Sequence, residues 1–367
     1  MRVLVACGWP RPVGAAVHAG RLTAALRSHG IVVRAVAVGA HGVADPDLTV
    51  LSDTDADPVE RLMTAVREPM DIGHAEDPSA ADALMRLRDA GLVGRVVTTV
   101  HYLEAHTDVE PEERERRAVQ GSDAVMCASG YWADRIRSEF GVEALVVPHG
   151  VEADRFAGHG ADRGSAGLVM GWGDRRTVLN LGGVTARKGS RVLLEAFARA
   201  RARLGDHPLL AVAGPHVESE YRDAWLADAE RLGLRVGTAD DVAHADVVEL
   251  GVVAVDMMPL LYRASDVVAT PSTREGFGLV VLEAAAAGVP NVVSDLPVFR
   301  EHLRDGESCL FVPVGDSGPL AQALVRAVND AGLRERLAAG GLAVARQLSW
   351  DVCATQHERI YRDLLAS

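Results

Sequence analysis

Two carboxylates, Glu275 and Glu283, stand eight positions apart in the run EGFGLVVLEAAAAGVP at 275–290. Ahead of them, residues 267–270 form a short apolar run suited to a buried parallel strand, which Pro271 and Ser272 end. Gly276 and Gly278 let the backbone turn tightly, and residues 279–287 read as a helix stopped by Gly288, with Pro290 beyond it. A helix N-terminus bared by glycines is an anion site, because its first amides have no partner inside the helix. The flanking acids would repel a phosphate yet accept hydrogen bonds from sugar hydroxyls, and phosphate with sugar describes a nucleotide sugar. Arg187 and Lys188, in NLGGVTARKG at 180–189, lie between a strand and a helix, on a loop facing the carboxyl ends of a sheet. A diphosphate leaving group gains negative charge as a glycosidic bond breaks, so fixed cations of this kind stabilise that transition state.

The elements that must position these residues alternate along the chain. In the first half strands are expected at 3–7, 32–38, 48–51, 72–74, 96–100, 124–127 and 145–147, with helices at 14–28, 59–67, 80–90, 111–120 and 131–140. Such alternation means parallel strands with crossover helices, hence a doubly wound sheet. Residues 156–176 are glycine-rich and lack either apolar period, as a linker should. The alternation restarts with strands at 177–181, 209–213, 247–250, 267–270, 291–294 and 309–312, and helices at 190–203, 219–232, 257–264, 279–287 and 319–329. Ser349 caps a last helix running from Trp350 to the end of the chain.

The context EGFGL-x3-E-A-x3-G-x-P after ATPS resembles the donor-site signature of the family 4 retaining glycosyltransferases, which have the GT-B fold: two doubly wound Rossmann-like α/β domains with ligand between them. The resemblance implies an N-terminal acceptor-side domain at 1–155, a linker at 156–176, a C-terminal nucleotide-sugar domain at 177–349, and a final helix, 350–367, that packs back on the first domain. It makes Glu275 the partner of the transferred sugar and Glu283 that of the ribose, with the amides of Gly276, Phe277, Gly278 and Leu279 along sugar and phosphates. Lys188 matches the family's phosphate-binding lysine. Many relatives place an arginine five positions earlier, where this chain has Gly183, and Arg187 is the expected second cation. His101, at the end of VTTVH, resembles the family's histidine near the donor sugar, and with Lys188 and Glu275 completes the expected catalytic set. Gly14, at the start of the first helix, fits the glycine loop near the diphosphate, whose usual second glycine is Ala15 here. PHGV at 148–151 resembles the interdomain passage.

Composition bounds the class. A chain of 367 residues with 48% hydrophobic content can bury two cores of ordinary size, and a net charge of −13 argues against a nucleic-acid partner. Cys7, Cys127, Cys309 and Cys353 lack CxxC spacing, which fits separate thiols in a reducing cytoplasm better than zinc or a disulfide framework. No metal site is expected: His106 follows His101 without a third ligand, and Asp53-x-Asp55-x-Asp57 reads as a solvated turn. No run approaches the length of a membrane span. The expectation is therefore a cytoplasmic, metal-independent retaining transferase, without cofactor, and a homodimer is compatible with the sequence. It moves a hexose or hexosamine from a nucleoside-diphosphate sugar to a small soluble acceptor in specialised metabolism. A GT-B sugar-nucleotide epimerase and a silent GT-B partner protein are the alternatives.

Overall fold

A computed structural model describes residues 1–8, 14–38, 49–51, 58–103, 109–157, 162–215 and 219–367. The chain divides into two compact units, Met1–Gly150 with Leu348–Ser367, and Val151–Gln347. The first unit runs β1 (Arg2–Cys7), α1 (Gly14–Ser28), β2 (Val32–Val38), β3 (Thr49–Leu51), α2 (Pro58–Ala65), β4 (Met70–Ala75), α3 (Pro78–Asp89), β5 (Val93–Val100), α4 (Val109–Gly121), β6 (Ala124–Cys127), α5 (Gly130–Phe140) and β7 (Ala144–Val146). Its sheet is parallel in the order β3-β2-β1-β4-β5-β6-β7. The near-continuous apolar strands follow from helices covering both faces of such a sheet. Leu4, Val36, Leu84, Leu87, Val93 and Val96 pack into the core on one face. Helix starts are set by side chains: Asp77 accepts from the amides of Ser79 and Ala80, both at 2.9 Å, ahead of Pro78 at the first turn of α3.

The second unit runs α6 (Ala153–Ala157), α7 (Arg163–Val169), β8 (Thr177–Leu181), α8 (Ser190–Leu204), β9 (Leu209–Ala213), α9 (Ser219–Arg231), β10 (Val236–Thr238), β11 (Val247–Gly251), α10 (Met258–Arg263), β12 (Val267–Thr270), α11 (Leu279–Ala286), β13 (Asn291–Ser294), α12 (Pro297–Arg300), β14 (Leu310–Val312), α13 (Ser317–Asn329) and α14 (Ala331–Gln347). Its parallel sheet has the order β10-β11-β9-β8-β12-β13-β14. Val178, Leu193, Phe197, Leu210, Trp225 and Val267 belong to its core. The stretch 156–176, expected to be an irregular linker, instead carries α7, whose first turn Asp162 caps by accepting from Ser165 N at 2.7 Å. Helix α14 was not expected either; Gly340 and Gly341 dilute its apolar period.

The last helix, α15 (Trp350–Ala366), belongs to the first unit, and Ser349 caps it by accepting from Val352 N at 3.2 Å. It carries buried Cys353, His357, Ile360 and Tyr361. The four cysteines are buried and form no disulfide. Among the described residues, no helix is long and apolar enough to cross a membrane.

Candidate functional site

In the second unit β8 and β12 are neighbours although far apart in sequence, and the sheet grows outward from them in both directions. That is the switch point at which a doubly wound sheet opens a crevice beyond its carboxyl ends. The loop after β8 brings Arg187 and Lys188 there, and the loop after β12 brings Ser272 to Gly278. A backbone bond from Thr273 N to Arg187 O at 2.8 Å ties the loops together. Lys188 Nζ donates to Glu275 Oε1 at 2.7 Å, and Ser272 Oγ donates to the same oxygen at 2.7 Å. Arg187 Nη1 reaches Glu275 Oε2 and the Arg274 carbonyl, each at 3.3 Å. Lys188 and Glu275 are only 9% and 8% exposed, whereas the Arg187 side chain is 41% exposed. Burial alone would raise the Glu275 carboxyl, but the charges of Lys188 and then Arg187 outweigh it and hold the group below the usual range.

The two glycines that frame this arrangement have steric reasons to be there. Gly278 caps α11 at φ +90°, and a Cβ would lie 2.4 Å from Phe299 Cε1. Having no side chain, it leaves the first turn of α11 without a side-chain cap. Gly183 sits at φ +73° with the Pro215 carbonyl oxygen 1.8 Å from where a Cβ would stand. An arginine has no room at that position, and Arg187 is the residue that converges on Glu275 beside Lys188. Gly276 is half-buried, Leu279 opens α11, and Phe277 is buried with its ring edge-on to His302 at 5.3 Å. Glu283, in the second turn of α11, accepts from the Tyr262 hydroxyl at 2.6 Å. Burial, followed by the charge of Glu283, pushes the Tyr262 hydroxyl well above its ordinary value. Ser272 and Tyr262 were not singled out in the sequence; their positions in the chain carry no signal of the carboxylates they meet.

In the first unit His101 directly follows β5, and Glu76 follows β4 at that sheet's own switch point, between β1 and β4. Glu76 N donates to Ala6 O at 2.9 Å, which fixes the residue beside the end of β1. Glu76 Oε2 accepts from His101 Nε2 at 2.8 Å and from His18 Nδ1 at 2.9 Å, and Oε1 lies 3.1 Å from His18 Nδ1. His101 Nδ1 faces His149 Nε2 at 3.2 Å. His74 bonds Thr99 Oγ1 at 2.7 Å and the Tyr361 hydroxyl, and His357 Nδ1 donates to the Cys353 carbonyl at 2.8 Å. Burial would raise the Glu76 carboxyl, but the charge of His18 and hydrogen bonds from His101 and His18 hold it well below the usual range. Burial pushes His74 down to about 4 and His357 down to about 3, and takes His149 well below the ordinary histidine value. Gly14 opens α1 with an open space around it, and Ala15 has the helical conformation in which a methyl causes no strain. Residues 9–13 of the loop before α1, His106 and the Asp53, Asp55, Asp57 triplet lie outside the described residues. Sequence reasoning missed Glu76; its one available signal was a carboxylate two residues after His74 at a strand end.

Two parallel α/β units, each with polar groups gathered at its switch point, define a GT-B protein. Residues 12–155 match the family model "Glycosyltransferase Family 4", and residues 175–330 match "Glycosyl transferases group 1". The chain belongs to the family 4 glycosyltransferases, enzymes that use nucleotide sugars. It is 31% identical over 397 residues to the phosphatidyl-myo-inositol mannosyltransferase of Mycobacterium leprae, spanning 100% of this chain and 98% of that one. The GDP-mannose-dependent alpha-(1-6)-phosphatidylinositol monomannoside mannosyltransferase of Mycobacterium tuberculosis is 32% identical over 287 residues, 74% of this chain and 70% of the relative. A D-inositol 3-phosphate glycosyltransferase of Stackebrandtia nassauensis is 32% identical over 275 residues, 72% and 60% of the two chains. Among solved structures, the sucrose-phosphate synthase of Thermosynechococcus elongatus shares the fold at TM-score 0.81 and 19% identity, covering 100% and 99%. Anabaena HepE with UDP-glucose does so at 0.80 and 18%, covering 99% and 100%.

Proposed function

We propose that this chain is a retaining hexosyltransferase that moves mannose from GDP-mannose to the inositol of a phosphatidylinositol-type lipid. The observation that carries the transfer reading is the convergence of Lys188 and Arg187 on Glu275 beside the bare N-terminus of α11. Lys188 turns from Glu275 to the diphosphate, with Arg187 and the first amides of α11 as further donors. Glu275 then accepts from hydroxyls of the transferred sugar, and Glu283, held by Tyr262, from those of the ribose. The amides of Gly276, Phe277, Gly278 and Leu279 follow the sugar and phosphates, Gly14 adjoins the diphosphate, and His101 contacts the donor sugar. As the bond from the anomeric carbon to the diphosphate breaks, its electron pair passes to the diphosphate oxygen. The acceptor oxygen bonds to the anomeric carbon on the same face, and its proton goes to the departing phosphate. No enzyme nucleophile is needed, and the fixed cations neutralise the leaving group, so turnover is expected to survive chelation.

The names of the mannosyltransferase relatives support mannose and an inositol lipid, and the small soluble acceptor expected from the sequence gives way to it. A second reading, a soluble inositol phosphate as acceptor, is favoured by the Stackebrandtia relative. Incubation with GDP-mannose and either phosphatidylinositol vesicles or inositol 3-phosphate separates the two. GDP release and a mannosylated lipid only with the vesicles is the expected outcome. Product with inositol phosphate alone replaces the first acceptor by the second. An isomerised nucleotide sugar without acceptor would show an epimerase instead, and no turnover of any nucleotide sugar a silent partner.

A further inference from the structure

Among the described residues of the buried polar cluster in the first unit, His101 is the most exposed. His18, His74, Glu76, His149 and His357 are at most 5% exposed, and the His101 side chain is 14% exposed. A buried carboxylate requires a partner that returns its lost hydration. Among the described residues the Glu76 carboxylate has two hydrogen-bond partners, from different elements: His18 on α1 and His101 at the end of β5. Both contacts are hydrogen-bond lengths to one oxygen, so both ring nitrogens carry protons that point at Glu76. That fixes His101 with Nε2 protonated and Nδ1 turned to His149.

A cation is the competing occupant, since His18, Glu76 and His101 bring ligand atoms within 4.8 Å of one another, as do His18, Cys353 and His357. A tetrahedral zinc with bonds of about 2.0–2.1 Å keeps its ligand atoms about 3.3 Å apart. The 2.8 and 2.9 Å separations around Glu76 are shorter than that and hold a proton rather than a metal.

We propose that Glu76 is the positioning residue of His101, holding its imidazole by the Nε2 proton in one tautomer and one orientation, with His18 anchoring the same carboxylate from α1. This rests on the reading of His101 as a donor-sugar contact. The groups that face the pair are His18 from α1, His74 from β4, His149 after β7, and Cys353, His357 and Tyr361 from α15. Burial keeps His74, His149 and His357 neutral. Glu76→Gln preserves shape but places a donor where an acceptor stood.

The test compares Glu76→Gln, His101→Gln and the double variant, each checked for folding by its melting curve. The readouts are kcat, the KM for the nucleotide sugar and the pH dependence of kcat. Expected for Glu76→Gln is a loss in kcat of about 10–100-fold, the range for removing the carboxylate partner of a metal-bound histidine and the scale taken for an imidazole held the same way. The KM should hold, and the acid limb of the profile should move to lower pH. The double variant should be no slower than His101→Gln alone. A wild-type rate for His101→Gln overturns the underlying role of His101. An impaired His101→Gln beside a folded Glu76→Gln with wild-type kcat and pH profile overturns only the role of Glu76. Imidazole 15N spectra of the unmutated protein give a check that needs no variant to fold: Nε2 of His101 should be protonated, and the opposite tautomer overturns the proposal. So does a stoichiometric transition metal found by elemental analysis.

Discussion

Lys188 and Glu275 are each other's counter-charge, and that pairing makes the site self-consistent before any substrate is considered. Removing one member of a buried pair strands the other, at a cost of about 3–5 kcal/mol. Arg187 and Ser272 still contact Glu275 and should hold the cost for Lys188→Met toward the lower end of that range. Turnover of Lys188→Met is expected to fall on the order of 10²-fold or more, as for other lost transition-state donors. In a double-mutant cycle, Lys188→Met with Glu275→Gln should regain melting temperature relative to the single variants while turnover stays down. Recovery of both would make the pair a purely structural salt bridge. Full turnover by Lys188→Met would remove it from the mechanism.

At the scale of elements, α11 and the loop before it depend on a backbone shape that only glycine adopts easily. Gly278→Ala adds a methyl 2.4 Å from the Phe299 ring at φ +90°. It should destabilise the protein by about 1–3 kcal/mol in urea titration and weaken binding of a nucleoside diphosphate in calorimetry. An unchanged denaturation midpoint would show that Phe299 yields freely. Gly183→Arg tests the same logic on the neighbouring loop. Although it would restore the arginine that the family resemblance leads one to expect, the Pro215 carbonyl blocks the side chain's first atom. A lower melting temperature with no gain in turnover is expected; a faster enzyme would contradict the account of Arg187 as the cation of this loop. The glycines were legible in the sequence as turn formers, but the atoms they avoid were not. Those atoms, in Phe299 and Pro215, come from elsewhere in the chain.

Over the whole molecule, the two units should respond to acid in different windows. His74 and His357 titrate near 6.5 when unfolded but only at about 4 and about 3 when folded. Below pH 6.5 the unfolded chain therefore binds more protons than the native one. Their contribution to stability is complete above about 6.5 and is lost as pH falls toward 4 and then 3. Glu275, held below its unfolded value of 4.5, contributes above that pH and loses its share only on further acidification. Melting curves should decline first through the first unit, and His357→Gln should flatten the decline between pH 6.5 and 4. A flat melting temperature across that interval would mean that the histidine cluster is charged or hydrated in the native state.

The sequence by itself determined the two alternating α/β halves, because apolar period and turn residues are local properties. It also singled out Lys188 and Glu275, which the fold brings together, because their spacing across strand-to-helix turns survives as a linear pattern. Helices α7 and α14 escaped it, since short length in one and a glycine pair in the other erase the period. Only the tertiary structure decided that Arg187 meets Glu275 while Gly183 cannot be an arginine. It alone placed Tyr262 on Glu283, and drew His18, Glu76, His101, His149 and His357 into one buried cluster. Those residues lie on separate elements, and a hydrogen bond between groups far apart in the chain is set by how the elements pack, which no local pattern encodes.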